Sequence, residues 1–270
     1  MRIQLLGIPS DINSSYARGP AEAPAVIRRT WRRYLDFGNS VSECGCDIGG
    51  DTLPLDDLGD VPITETAADH ATIVSAAAGA ARHGPLLSLG GDHSVTFPLV
   101  EGLVQAHGSL NLLHFDAHPD LYDDFAGNPR SHASPFARIM ESGLARRLVQ
   151  VGVRNWNEHN RAQARRFGVE VVEWQDFTPA SVPVPDGPLY VTIDLDALDP
   201  AFAPGVSHPE PGGLSVRDIV SVLGRIRTQV VGADIVELNP RHDRDEATAI
   251  VANKLMKELA GAMARNSRDR

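Results

Sequence analysis

Three short stretches of the chain concentrate groups that hold cations. Gly90-Gly91-Asp92-His93 follows one apolar run, Asp116, His118 and Asp120 follow a second, and Asp194 and Asp196 follow a third. Carboxylates mixed with a few imidazoles suit hard or borderline divalent ions, Mn2+ above all, whereas a structural zinc site would draw on cysteine. Asp116, Asp120, Asp194 and Asp196 together carry about four negative charges, which two divalent cations cancel. Without such ions, carboxylates this close would raise one another's pKa values or push the chain apart.

The spacing i, i+2 and i+4 lets an extended chain direct every member of a set to one side. A single aspartate at a strand end is ordinarily a turn former or helix cap, and a single histidine ordinarily a packed or solvated residue. Two Asp/His sets on separate strand ends, with His93 after a Gly-Gly turn, fit a metal centre better than that ordinary reading. The Gly-Gly pair lacks the Lys-Ser/Thr of a phosphate loop. His114 shares parity with Asp116 but lies deeper, so it is read as packing against the site or supporting it, and Asp123 and Asp124 as solvated loop charges.

These groups need elements that bring them together. Apolar runs at 3–8, 85–91, 110–117, 147–153, 189–196 and 230–238 read as buried strands. Helical stretches alternate with them, including 66–83, 94–107, 157–168, 215–226 and the C-terminal 246–263. Such alternation predicts a mostly parallel sheet with helices on both faces, and ligand groups at the carboxyl ends of its strands. The Pro- and Gly-rich stretch 199–215 reads as a long functional loop after a strand. At 270 residues, the chain 1–270 is expected to form a single domain.

Composition narrows the function classes. A net charge of -10, with no basic cluster beyond Arg28-Arg29 and Arg32-Arg33, argues against nucleic acid as a partner. Cys44 and Cys46 are too few and too close for a disulfide framework and are read as free thiols. The stretch "MRIQLLGIP" turns at Pro9 before a signal-peptide core forms, and no apolar run approaches membrane-spanning length. The expected compartment is the cytoplasm, with no membrane partner.

At these residues the sequence resembles the ureohydrolase family, which includes arginases and agmatinases. The matching stretches are "GGDHS" (90–94), "DAHPD" (116–120), "SHASPFARIM" (131–140), "IDLDALDPAFAPGVSHPEPGG" (193–213) and "GADIVELNP" (232–240). The "SHASPFARIM" segment and the stretch 146–170 look most like the plant-type arginases. The resemblance implies a three-layer α/β/α fold, a binuclear Mn2+ centre and a trimeric or hexameric homo-oligomer. It implies that one ion binds His93, Asp116, Asp120 and Asp194 and the other Asp116, His118, Asp194 and Asp196.

The chemistry so implied is two-metal activation of water for attack on a guanidinium carbon. Asp120 is expected to carry a proton to the leaving amine, His132 to shuttle protons, and Glu237 to pair with the guanidinium of a small cationic substrate. Asn128, Ser131, Asn155 and Asn157 are candidates to read the rest of that substrate, and Arg130 to attract an α-carboxylate. In animal-type arginases an acid aligned with Asn157 helps hold the α-amino group; a neutral amide stands here. The resemblance favours L-arginine, giving L-ornithine and urea, with agmatine or another guanidino compound as alternatives. A non-catalytic metal-binding subunit of a mixed oligomer is the alternative of another class.

Overall fold

Alternate residues of a strand face opposite sides of a sheet, and in this chain both sets are apolar. Leu87 and Leu89 pack on one side and Leu86 on the other; Leu113 and Phe115 lie opposite Leu110 and Leu112; Val191 and Ile193 lie opposite Tyr190. Both faces must then be covered by helices, which is the circumstance of a parallel sheet. The computed structural model describes residues 2–35, 42–43 and 55–268. Cys44 and Cys46, read above as free thiols, lie outside the described residues.

The strands are β1 (Ile3–Gly7), β2 (Leu55–Asp60), β3 (Leu86–Leu89), β4 (Leu110–Phe115), β5 (Ala145–Val151), β6 (Glu170–Val172), β7 (Leu189–Asp194) and β8 (Val230–Val236). They form one sheet in the order β2-β1-β3-β8-β7-β4-β5-β6, with every neighbouring pair parallel. Helices α1 (Ala23–Leu35), α6 (Val216–Leu223) and α7 (Ala247–Arg268) pack into the apolar layer on one face. Helices α2 (Ala68–Ala81), α3 (Thr96–His107), α4 (Pro135–Glu141) and α5 (Glu158–Phe167) pack into the layer on the other. The three-layer α/β/α architecture expected from the sequence is the one observed.

Three elements escape the hydrophobic pattern. Strand β2, "LDDLGD", is an edge strand whose acids are held by arginines: Arg28 binds Asp57 at 2.9 Å and also Asp60, and Arg2 binds Asp56. Strand β6, of three half-buried residues, is the opposite edge. Charge and brevity are what protect sheet edges from pairing with other chains, and both erase the apolar signature. Helix α4 has seven residues with proline in its first turn, a start that suits proline because no N–H is needed there.

The four central strands, β3, β8, β7 and β4, are consecutive neighbours, and each ends in a candidate functional group. A Cβ at Gly91 would stand 1.9 Å from the Ser10 carbonyl oxygen, so only glycine lets the end of β3 meet the loop after β1. There the Asp92 amide donates to Ser10 O at 2.9 Å.

Candidate active site

The carboxyl ends of β3, β7 and β4 bring His93, Asp116, Asp120 and Asp194 to one point. His93 Nδ1 is buried and makes no hydrogen bond, although Asp194 Oδ2 stands at 3.1 Å and Asp116 Oδ2 and Asp120 Oδ2 at 3.2 Å. Its other nitrogen, Nε2, lies 3.0 Å from Thr192 Oγ1, which fixes the ring. A spacing of about 3 Å is the edge of a coordination polyhedron with bonds of about 2.1 Å. The donor set therefore fits a hard divalent cation. A second cluster lies beside it, with His118 Nδ1 3.1 Å from Asp196 Oδ2 and 3.4 Å from Asp116 Oδ1. Asp116 thus presents one oxygen to each cluster.

Backbone amides aim these carboxylates. His118 N donates to Asp116 Oδ1 at 2.6 Å, Asp196 N to Asp194 Oδ1 at 2.8 Å, and Ala117 N to Asp196 Oδ1 at 3.2 Å. The convergence is not made by strand alternation, as the i, i+2 spacing suggested. Strand β4 stops at Phe115, a turn carries 116–120, and Asp120 adopts φ 48°; Asp196 lies in a 3-10 turn after β7. A non-glycine residue in the left-handed region costs on the order of 1 kcal/mol, and such strain gathers at functional sites. Glu237, just past β8, shares it with φ 65°.

His114 supports the site as its depth implied. Its Nε2 lies 2.8 Å from Asp116 Oδ2, its ring stacks on Phe136, and Gln150 Nε2 donates to its Nδ1 at 3.0 Å and to Pro119 O at 2.6 Å. The Gln150 amide leaves Nε2–H as the donor to Asp116, and burial keeps the ring neutral by lowering its pKa. Asp92 is bound by Asn13 N, Ser94 N and Ser94 Oγ and fastens the loop after β3.

Over both clusters opens a cavity of about 220 Å3, walled by Glu237, His132, His208, Ser15, Tyr122, Phe125, Asn155 and Asn157. Glu237 Oε1 accepts from His93 N at 2.9 Å and from His132 Nδ1 at 3.0 Å, while Oε2 is buried without a partner. Asn157 caps α5 by accepting from Asn160 N and donates to the Tyr122 hydroxyl.

Three of the candidate residues for reading the substrate line a different cavity. Asn128 and Ser131 line a neighbouring cavity of about 250 Å3, together with Arg130 and Arg138. The cause is local bonding: Asn128 Nδ2 donates to Asn13 Oδ1 at 3.0 Å and its Oδ1 accepts from Arg130 N, while Ser131 Oγ accepts from Ala133 N.

The sequence reading missed His208, whose ring lies 5.0 Å from that of His132, and Arg154. The half-buried Arg154 guanidinium donates to the carbonyls of Gly152, Asp196, Ala197, Leu198 and Glu210, pinning the Asp196 segment to the loop that carries His208. The signal for His208 was its place in the long loop after β7; Arg154 binds backbone oxygens, which no residue pattern announces.

Electrostatics match a site built for positive charge. Burial opposes the charge on His118, but Asp196 and Asp116 outweigh it and raise its pKa to about 12. For His132, burial is likewise outweighed by Glu237, giving about 9. Burial and neighbouring acids raise Asp194 well above its ordinary value and, although His118 works against this, Asp196 to about 6.

Between 3.8 and about 6, then, the folded metal-free chain binds more protons at Asp196 than the unfolded chain does, so this group's contribution to stability falls as pH rises through that window. Divalent ions bind the deprotonated form. At a hundredfold excess over Kd they should add about 2.7 kcal/mol. The gain in Tm on adding Mn2+ should therefore be larger at about pH 7 than at about pH 5. Thermal melts with and without the ion check this, and equal gains at both pH values would place the ion elsewhere.

A parallel α/β sheet carrying this aspartate and histidine cradle over its central strands defines an α/β protein with a candidate metal centre. The particular family emerges from comparison: the chain matches the Arginase family over residues 1–261 and belongs to it. It is 45% identical to arginase 1, mitochondrial, of Arabidopsis thaliana, across 97% of this chain and 81% of that protein. It is 33% identical to guanidinopropionase of Pseudomonas aeruginosa, across 99% and 88%. The arginase structure from Medicago truncatula superposes with a TM-score of 0.87 at 42% identity, covering 97% of this chain and 87% of that one.

Proposed function

We propose that the chain 1–270 acts as one domain that hydrolyses L-arginine to L-ornithine and urea. The observation that carries the guanidino substrate is Glu237: its Oε2 is buried, unpartnered and beside the cradle, a place a guanidinium donor pair would fill. Identity of 45% to an arginase favours arginine among guanidino compounds. In this reading two Mn2+ ions bind per chain, one through His93, Asp116, Asp120 and Asp194 and the other through Asp116, His118, Asp194 and Asp196. Bound there, the ions would activate water and stabilise charge developing at the guanidinium carbon.

The chain's own residues do the rest. Glu237 orients the guanidinium, Asp120 takes a proton from the attacking water and gives it to the departing amine, and His132 supplies the second proton that makes the amine an ammonium. Asn155 and Asn157 and, newly, His208 face the substrate's far end. We further propose a trimeric or hexameric homo-oligomer in the cytoplasm; light scattering and cell fractionation test those two points. Among the described residues, no helix is long and apolar enough to cross a membrane.

One observation favours a second reading. Among the described residues, no Lys or Arg lines the cavity over the cradle, so the α-carboxylate of arginine finds no permanent cation there. Agmatine, which lacks that carboxylate, fits the same walls. Urea release from arginine, agmatine and 3-guanidinopropionate decides the matter. Arginine should exceed agmatine in kcat/KM by about 10²-fold, because polar groups placed for a substrate are left unpaired by an analogue that lacks its partner. Equal values, or a preference for agmatine, would overturn the arginase reading and leave the ureohydrolase reading standing.

A further inference from the structure

The loop after β1 forms one wall of the candidate active site. Asn13 N donates to Asp92 Oδ2 at 3.0 Å, Asn13 O accepts from His132 N at 3.2 Å, and Asn13 Oδ1 accepts from Asn128. Further along, Asp11 binds Arg18 and accepts from Gly19 N at 2.7 Å. Between these anchors Ser15 projects into the cavity while remaining exposed to solvent. Its Oγ lies 2.8 Å from His132 Nε2. The other ring nitrogen, Nδ1, is engaged by Glu237.

We propose that Ser15 is a positioning residue for the reaction: its hydroxyl holds the His132 ring through Nε2 and links that nitrogen to solvent at the cavity mouth. This rests on His132 being the proton shuttle. A shuttle must keep its place in both protonation states, and a hydroxyl offers one donor and two lone pairs. Toward the imidazolium, Ser15 Oγ accepts from Nε2–H and donates to water. Toward the neutral ring, it donates to Nε2 and accepts from water. Neither state requires the ring to turn.

The proton balance is simple. Both protons of the consumed water end on the product ammonium, so the reaction exchanges none with solvent overall. The two transfers are nonetheless separate. When the imidazolium gives its Nε2 proton to the amine, Nε2 is left bare; Ser15 Oγ–H then passes its proton to Nε2 and takes one from water. Water in turn receives the proton released when the attacking water is activated.

Urea release by the metal-loaded protein tests the idea with three variants. Ser15→Ala should lower kcat about tenfold, the scale of one lost hydrogen bond, with KM and metal content unchanged. Its solvent deuterium isotope effect should rise, and added imidazole should restore part of the rate. Ser15→Thr, which keeps the hydroxyl, should stay near the parent. If Ser15→Ala keeps the parent kcat while His132→Asn loses it, the proposal fails and the shuttle reading survives. If His132→Asn also keeps its kcat, the shuttle reading itself fails. An increase in KM alone would make Ser15 a substrate contact and would equally overturn the proposal.

Discussion

Asp194→Ala should abolish measurable urea release and empty the cradle of metal. Asp194 closes β7, its Oδ1 is fixed by the Asp196 amide at 2.8 Å, and its Oδ2 stands 3.1 Å from His93 Nδ1. In the proposed ligand set it serves both ions, so its loss weakens both at once. Metal stabilisation of transition-state charge is worth several kcal/mol, so kcat/KM should fall by about 10³-fold or more. The buried carboxylate is itself costly without a cation, so the apo variant should fold at least as stably as the apo parent. Elemental analysis after Mn2+ loading, run beside the activity assay and a thermal melt, checks all three points. A folded variant with normal turnover would sink the site assignment.

The second large effect separates the cradle from the proton path. His132→Asn should lower kcat by about 10²- to 10⁴-fold, the range for losing a general acid or base, while both metals stay bound. The reason for the split is geometric: His132 Nδ1 meets Glu237 Oε1 at 3.0 Å and Nε2 meets Ser15, so neither nitrogen is committed to the cradle. His132, His208 and Glu237 do lie close enough together to hold a cation. If the variant loses metal in step with activity, that trio is a metal site and the shuttle role is wrong.

How much of this was legible depends on how local each signal is. The central strands were readable because strands buried on both faces are continuous apolar runs, as in Leu110–Phe115 and Leu189–Asp194. The candidate ligands were readable because they sit within a few residues of those strand ends. The edge strands Leu55–Asp60 and Glu170–Val172 were not, since a sheet edge is half solvent.

The far end of the pocket was read least well. Asn128 and Ser131 are near His132 in sequence, yet the Asn13 amide turns Asn128 toward the neighbouring cavity. His208 and Ser15 come from loops far apart in the chain, which Ser207 Oγ helps tie together by binding Ala17 O, 190 residues away, at 2.9 Å. Contacts of that kind belong to the folded chain and leave no periodicity behind.

The position of β8 has a consequence for how the protein comes into being. Strand β8, the last strand among the described residues, is inserted between β3 and β7, and so joins a half-sheet β2-β1-β3 to a half-sheet β7-β4-β5-β6. His93 belongs to the first half; Asp116, His118, Asp120, Asp194 and Asp196 belong to the second. On a growing chain, the two halves are already made while residues 230–236 are still inside the ribosome. Until that segment emerges, β3 and β7 present bare edges that invite pairing with other nascent chains. Of the two proposed ion sites, only the one that uses His93 needs both halves, whereas Asp116, His118, Asp194 and Asp196 already lie together in the second half. Filling the His93 site therefore reports that residues 230–236 have found their slot.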